Sequence, residues 1–209
     1  MKNMRTVGFL CAITILLTGC AGDKNNLDNA QQVKSGPGTE RQVQDEAVNT
    51  IQVGSKYKVT DSMEELKEAV VDILGENYWP DTLLTEEELA ERTGISDSMY
   101  QNFMAEYQHA EAGIDMMILI EAREEEIDII EKRLNEYREM LLHIYEKQPQ
   151  NRAKVFASRI EVIDNYVCYV QLGADITALE DQGEDIMVSY CQEENERALD
   201  VIEKGILNS

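Results

Sequence analysis

Ile114-Asp115-Met116-Met117-Ile118-Leu119-Ile120-Glu121 is the stretch on which the fold turns. Five consecutive apolar residues leave no polar face, so the segment is buried on both sides. That suits a central β-strand, although a buried helix segment gives the same run. The residues just downstream supply a helix with an apolar face to cover a core. Ile127, Ile130, Leu134, Tyr137, Leu141 and Ile144 recur at three, four, three, four and three residues. This is one apolar stripe of an amphipathic helix, and the positions between are mostly charged. Pro149 is read as closing that helix.

Working outward, residues 159–172 read as a hairpin. Ile160–Ile163 and Tyr166–Val170 flank Asp164-Asn165, a pair that tolerates positive φ. Alternation is imperfect in the second strand, which points to burial on both faces. Upstream, Tyr100 to about Gln108 reads as another strand, and Ala112-Gly113 as the turn after it. Two helices precede it. Ser62-Met63-Glu64-Glu65 is a capping-box pattern, followed by Met63, Leu66, Val70 and Ile73 on one face and a stop at Gly75. Thr85-Glu86-Glu87-Glu88 is a second capping box, with Leu84 and Leu89 placed as a hydrophobic staple and an end near Gly94. A last helix, about Glu184 to Ile206, carries an apolar stripe interrupted by Glu194. The expected class is α+β: an antiparallel sheet of about four strands covered by amphipathic helices.

The N-terminal residues describe an address. Met1-Lys2-Asn3-Met4-Arg5 is basic, Val7 to Leu17 is apolar, and Leu17-Thr18-Gly19-Cys20 comes next. A basic start, a short apolar run and small residues before a cleavage point make a secretory signal. The run falls short of the ~20 residues a membrane-spanning helix needs. The Leu-Thr-Gly-Cys ending resembles the lipobox of bacterial lipoproteins, in which the cysteine thiol receives a diacylglycerol. Two acyl chains suffice for stable anchoring. Residues 20–56 are polar and include Asn25-Asn26, Gln31-Gln32 and Ser35-Gly36-Pro37-Gly38, the composition of a flexible tether. The expected organisation is a signal peptide at 1–19, a lipid-anchored tether at 20–56 and one extracytoplasmic domain at 57–209, with the membrane as partner through the lipid on Cys20.

Charge narrows the partners. The chain has 19 basic and 41 acidic residues, and a net charge of −22. Loss of Lys2 and Arg5 with the signal leaves 17 against 41. So acidic a chain excludes nucleic acid, which needs a basic patch, and direct docking on anionic headgroups.

Candidate chemistry is sparse. Cys168 and Cys191 remain after the signal and Cys20 are set aside. An exported domain permits a disulfide, two buried free thiols are the alternative, and spacing alone leaves both open. Glu106-Tyr107-Gln108-His109 has the Glu-x-x-His spacing of di-iron bundles but no second copy. His143 lies near a helix C-terminus, where a protonated ring favours the dipole. Glu180-Asp181-Gln182-Gly183-Glu184-Asp185 lacks the ligand alternation of a calcium loop. Phosphate-binding loops and nucleophile elbows are missing from the sequence. No catalytic residue, metal ligand or cofactor is expected. Tyr78-Trp79-Pro80 is the one loop with aromatic side chains suited to partner contact, the alternative being a lid on the core.

The lipobox, the tether, Leu84-Thr85-Glu86-Glu87-Glu88-Leu89-Ala90-Glu91-Arg92-Thr93-Gly94-Ile95, the apolar run at 114–120, the long helix at 124–147 and Val162-Ile163-Asp164-Asn165-Tyr166-Val167 together resemble the exported bacterial proteins of the domain-of-unknown-function family numbered 4358. The resemblance covers about residues 60–178. In that family the turn often carries Gly where this chain has Asp164. The resemblance implies no catalytic or ligand residue. The expected role is therefore a non-enzymatic extracytoplasmic module binding a protein or cell-envelope component. An envelope enzyme and an accessory subunit of a membrane complex are the alternatives.

Overall fold

A computed structural model describes residues 60–109 and 113–208. The signal peptide, Cys20, the tether and Ala112 of the expected turn lie outside the described residues. The elements in chain order are α1 (Asp61–Leu74), a 3-10 turn (Gly75–Asn77), β1 (Thr82–Leu83), α2 (Glu86–Thr93), β2 (Tyr100–Tyr107) and β3 (Met116–Ala122). Then come α3 (Ile127–Ile144), α4 (Pro149–Ala157), β4 (Arg159–Ile163), β5 (Tyr166–Gln171) and α5 (Glu184–Leu207). The strands form one antiparallel sheet in the order β1-β2-β3-β5-β4. The fold is α+β, and among the described residues no helix is long and apolar enough to cross a membrane.

The apolar run sits at the sheet's centre because both faces are covered. Met116, Ile118 and Ile120 join Phe103, Val167 and Tyr169 in a cluster with Ile130 and Leu134 of α3. Met117 and Leu119 point the other way, into a cluster with Met63 and Val70 of α1, Cys168 and Val170 of β5, and Ile202 of α5. Successive strand side chains alternate between faces. Each face needs its own apolar residues, hence the unbroken run. Full burial of an Ile or Leu side chain contributes about 1.5–3 kcal/mol.

Several local signals act as read. Thr85 caps α2 with the reciprocal Glu88 bond, Leu84 and Leu89 are both buried, and Gly94 ends the helix at φ 75, a value costly for any residue with a Cβ. Asp164 takes φ 53 in the hairpin turn while Asn165 does not have positive φ. The position where the family often carries Gly is the one with left-handed backbone.

Other signals are overridden. α1 begins at Asp61 with Thr60 as its cap and no side-chain capping bond; Ser62 falls inside the first turn and pairs its hydroxyl with Thr60. Leu74, four residues after Val70, is buried in place of Ile73, which is 41% exposed. The α3 stripe ends at Leu141, and Ile144 is exposed. Pro149 opens α4 as well as following α3, since a proline at the first helical position loses no hydrogen bond. A fifth strand, β1, was invisible because two residues show no alternation; it is fixed by pairing with Glu106 and Tyr107. Glu194 interrupts the α5 stripe yet is buried, its carboxylate taken by Arg197 at 2.8 Å.

Candidate functional site

The loop after α1 divides its two aromatic residues. Tyr78 is half-buried against the α1–α5 cluster, and its hydroxyl donates to Glu106 Oε2 at 2.7 Å. Burial, and then the Glu106 charge, push its phenol well above the ordinary range. Glu106 also takes the Lys67 ammonium at 2.5 Å. Trp79 turns away. Its indole N–H donates to the Glu76 carbonyl at 2.9 Å, and Lys154 Nζ lies 5.3 Å from its ring centroid.

Trp79 forms one wall of a cleft of about 250 Å³ at the end of the sheet where β2 leaves and β3 and α4 begin. Gln108, Gln150 and Asn151 line it with neutral amides, and Ile176 with an apolar side chain. At its base Lys154, only 6% exposed, pairs with fully buried Asp115 at 2.5 Å. Asp115 also accepts the Ala174 N–H at 3.1 Å. Burial pushes the Asp115 carboxyl up, against the pull of the ammonium and of the Gly173 and Ala174 amides. The pair ties α4 to the start of β3 and to the segment after β5. Ala174 sits there at φ 46, a left-handed conformation that is unfavourable for a residue with a Cβ. Next to it, a side chain on Gly173 would meet Cys191 Sγ at 2.5 Å, so the close approach of α5 requires glycine. A smaller cavity of about 110 Å³ lies beside the cleft, sharing Gln108 and Gly113 with it and walled by Tyr107, Tyr137 and Gln171. Gln108 Oε1, buried without a hydrogen-bond partner among the described residues, belongs to the wall the two spaces share.

The remaining candidates are scattered. His109 is exposed; its backbone N–H donates to Asp81, and its ring stands 3.5 Å from the Tyr107 hydroxyl. Glu106, its partner in the Glu-x-x-His spacing, is engaged by Lys67 and Tyr78. Glu180 and Glu184 bond to Gln150 and Arg152 of α4. Among the described residues no three His, Cys, Asp or Glu side chains are grouped to hold a metal ion. Cys168 and Cys191 are free and lie in different buried clusters. Burial pushes each thiol up to about 12, a state in which neither is nucleophilic at neutral pH. The cleft therefore offers an aromatic face, neutral amides, a neutralised ion pair and the exposed Asp175 carboxylate. Sequence reasoning singled out Trp79 but missed Asp115 and Lys154. The available signal was the charge within Ile114–Glu121 and a lysine amid Ala153, Val155 and Ala157.

No curated protein and no solved structure matches this chain. Residues 75–172, just under half of the chain and a shorter span than the sequence motifs implied, match the family model described as "Domain of unknown function (DUF4358)", and over that stretch, from the turn after α1 to the end of β5, the resemblance to this family is shown.

Proposed function

We propose that this chain is a lipid-anchored extracytoplasmic binding module without catalytic activity. It is held at the outer face of a bacterial cytoplasmic membrane through Cys20 and contacts a protein or cell-envelope component through the Trp79 cleft. The observation that carries the binding reading is the placement of Trp79. It is the chain's single Trp, it lies outside all the buried clusters, and it is held at a cleft rim by an indole hydrogen bond and a lysine ammonium. A tryptophan kept at a rim beside amide donors and acceptors, with the Asp175 carboxylate on the same lining, suits a polar ligand with a flat apolar face. The anchor reading is carried by Leu17-Thr18-Gly19-Cys20. The non-catalytic reading is supported by a cleft whose lysine and carboxylate neutralise each other and by two thiols with raised pKa.

Two measurements test it. Replacement of Cys20 by Ser abolishes labelling by a fatty-acid probe; continued labelling sinks the anchor. Because Trp79 is the only indole, its emission reports on the cleft directly. Soluble cell-wall fragments titrated into the protein shift that emission saturably, and Asn151→Ala weakens the response. An unchanged spectrum with every envelope fraction overturns the cleft as the contact. Turnover of a fragment overturns the non-catalytic reading and favours an envelope enzyme.

A further inference from the structure

A cavity larger than the Trp79 cleft lies elsewhere. A groove of about 570 Å³ runs between β4 and α5. β4 is one of the sheet's two outer strands, opposite β1, and among the described residues pairs with β5 alone. Ile163 and Tyr166 flank the two-residue turn and face each other, so they exchange hydrogen bonds. Alternation along an antiparallel ladder then turns the N–H and C=O groups of Val162 and Ile160 outward. Val162 is 40% exposed, and among the described residues no backbone bond outside the ladder engages Val162 or Ile160.

The walls of this groove are predominantly acidic. Glu161 and Asp164 stand on the strand side, and Glu193, Glu196, Asp200 and Glu203 on the helix side. The two arginines present are already engaged: Arg159 by Glu161 at 3.6 Å and Glu196 at 3.3 Å, Arg197 by Glu194 at 2.8 Å. Among the described residues Asp164, Glu193, Asp200 and Glu203 have no ion-pair partner. On α5 the residues at 193, 196, 200 and 203 follow helical three-and-four spacing and so make one stripe along the groove. From 193 to 203 the helix rises about 15 Å, close to the about 14 Å over which three alternate side chains of a strand repeat.

We propose that β4 and α5 form a docking groove for a basic, extended segment of another protein, which adds to the sheet as a sixth strand with Lys or Arg at alternate positions toward α5. Backbone pairing with Ile160 and Val162 supplies the register. The carboxylate stripe selects the partner's charge and speeds its approach. A second copy of this chain is the wrong occupant: at a net charge of −22 it would bring an equally acidic edge against this one. The groove shares no residue with the Trp79 cleft, so the proposal stands independently of that reading.

The test uses the full chain in non-ionic detergent and three fluorescent peptides of about eight residues, a normal strand length. They alternate Lys-Val, Glu-Val or Lys-Pro. Lys-Val is expected to bind at least about tenfold more tightly than Glu-Val, which lacks the charge, and Lys-Pro, which lacks the backbone donors. Its affinity falls as salt rises. Val162→Pro blocks the outward backbone at an edge position without removing a bond to β5, and weakens Lys-Val by about tenfold. Asp200→Asn with Glu203→Gln, both exposed, weakens it without touching the ladder, and serves should the proline variant fail to fold. Trp79→Ala leaves it unchanged. Equal binding of Lys-Val and Lys-Pro would mean mere charge attraction and overturns strand addition. Loss of binding in Trp79→Ala places the peptide in the other cleft and overturns the groove. No binding leaves the carboxylates as protection of a bare edge and overturns the proposal outright, as does self-association of the chain that Val162→Pro abolishes.

Discussion

Lys154 is the residue whose context departs furthest from its type. A lysine normally keeps its ammonium in water, and here the group is buried against Asp115 and over the ring of Trp79. Removing both charges from water costs several kcal/mol per ion, which the 2.5 Å pairing and the Ala174 amide offset. The expected consequence is asymmetric. Lys154→Met strands a buried carboxylate and costs about 3–5 kcal/mol. Adding Asp115→Leu recovers much of that loss but leaves the Ala174 N–H without its acceptor. Urea denaturation of the single and double variants measures both. A single variant as stable as the parent would show that water reaches Asp115, so that the pair does not anchor the cleft.

At the scale of elements, α2 shows how a short helix is held. Eight residues are too few to be stable alone in water. The helix relies on Thr85 and Glu88 at one end, on Gly94 at the other, and on Leu89 in the core. Glu88 accepts the Thr85 backbone N–H at 2.8 Å. That bond, followed by the Thr85 hydroxyl and Arg92, holds its carboxyl below the usual carboxylate range, burial opposing. A folded-state value lowered in this way contributes stability that is present above the unfolded value, about 4.3 for Glu. The contribution is lost as pH falls through the lowered folded value. Glu88→Ala is therefore expected to cost about 0.3–1.5 kcal/mol at neutral pH. The difference from the parent should narrow on acidification below about pH 4. Urea midpoints across that range test it; a gap that stays constant would mean the carboxylate charge is irrelevant to the cap. α4 owes less to its own sequence. It starts at Pro149, and Asn195 of α5 holds its C-terminal end by donating to the Ala157 carbonyl at 3.0 Å while accepting the Leu172 N–H at 2.8 Å.

At the scale of the molecule, two helical layers sandwich one sheet, and apolar clusters fill the space between them. A fragment beginning at residue 57, purified with chelator, is expected to unfold in one cooperative thermal transition. Divalent cations should raise its midpoint modestly, because they relieve the self-repulsion of so acidic a chain. Magnesium and calcium should act alike, and monovalent salt should reproduce part of the effect. A large shift caused by one ion at low concentration would expose a real site. Glu180–Asp185 would be the first place to seek it.

The sequence by itself determined the buried run at the centre of the molecule, the α3 stripe, the α2 cap and the hairpin, because each is written in neighbours. An apolar run, a three-and-four spacing, a hydroxyl three residues before a carboxylate and a residue able to take positive φ act through contacts only a few residues apart. It also determined the excess of negative charge. The tertiary structure alone decided the rest. β1 exists because β2 offers it an edge, Leu74 displaces Ile73 according to which face of α1 meets α5, and Tyr78 and Trp79 part because one finds Glu106 and the other Lys154. The ion pair under the cleft joins residues 39 apart in sequence. A charge set in an apolar stretch hints at burial but does not name its partner. What makes Asp115 and Lys154 tolerable inside the protein is each other, and only the packing of α4 against the sheet brings them together.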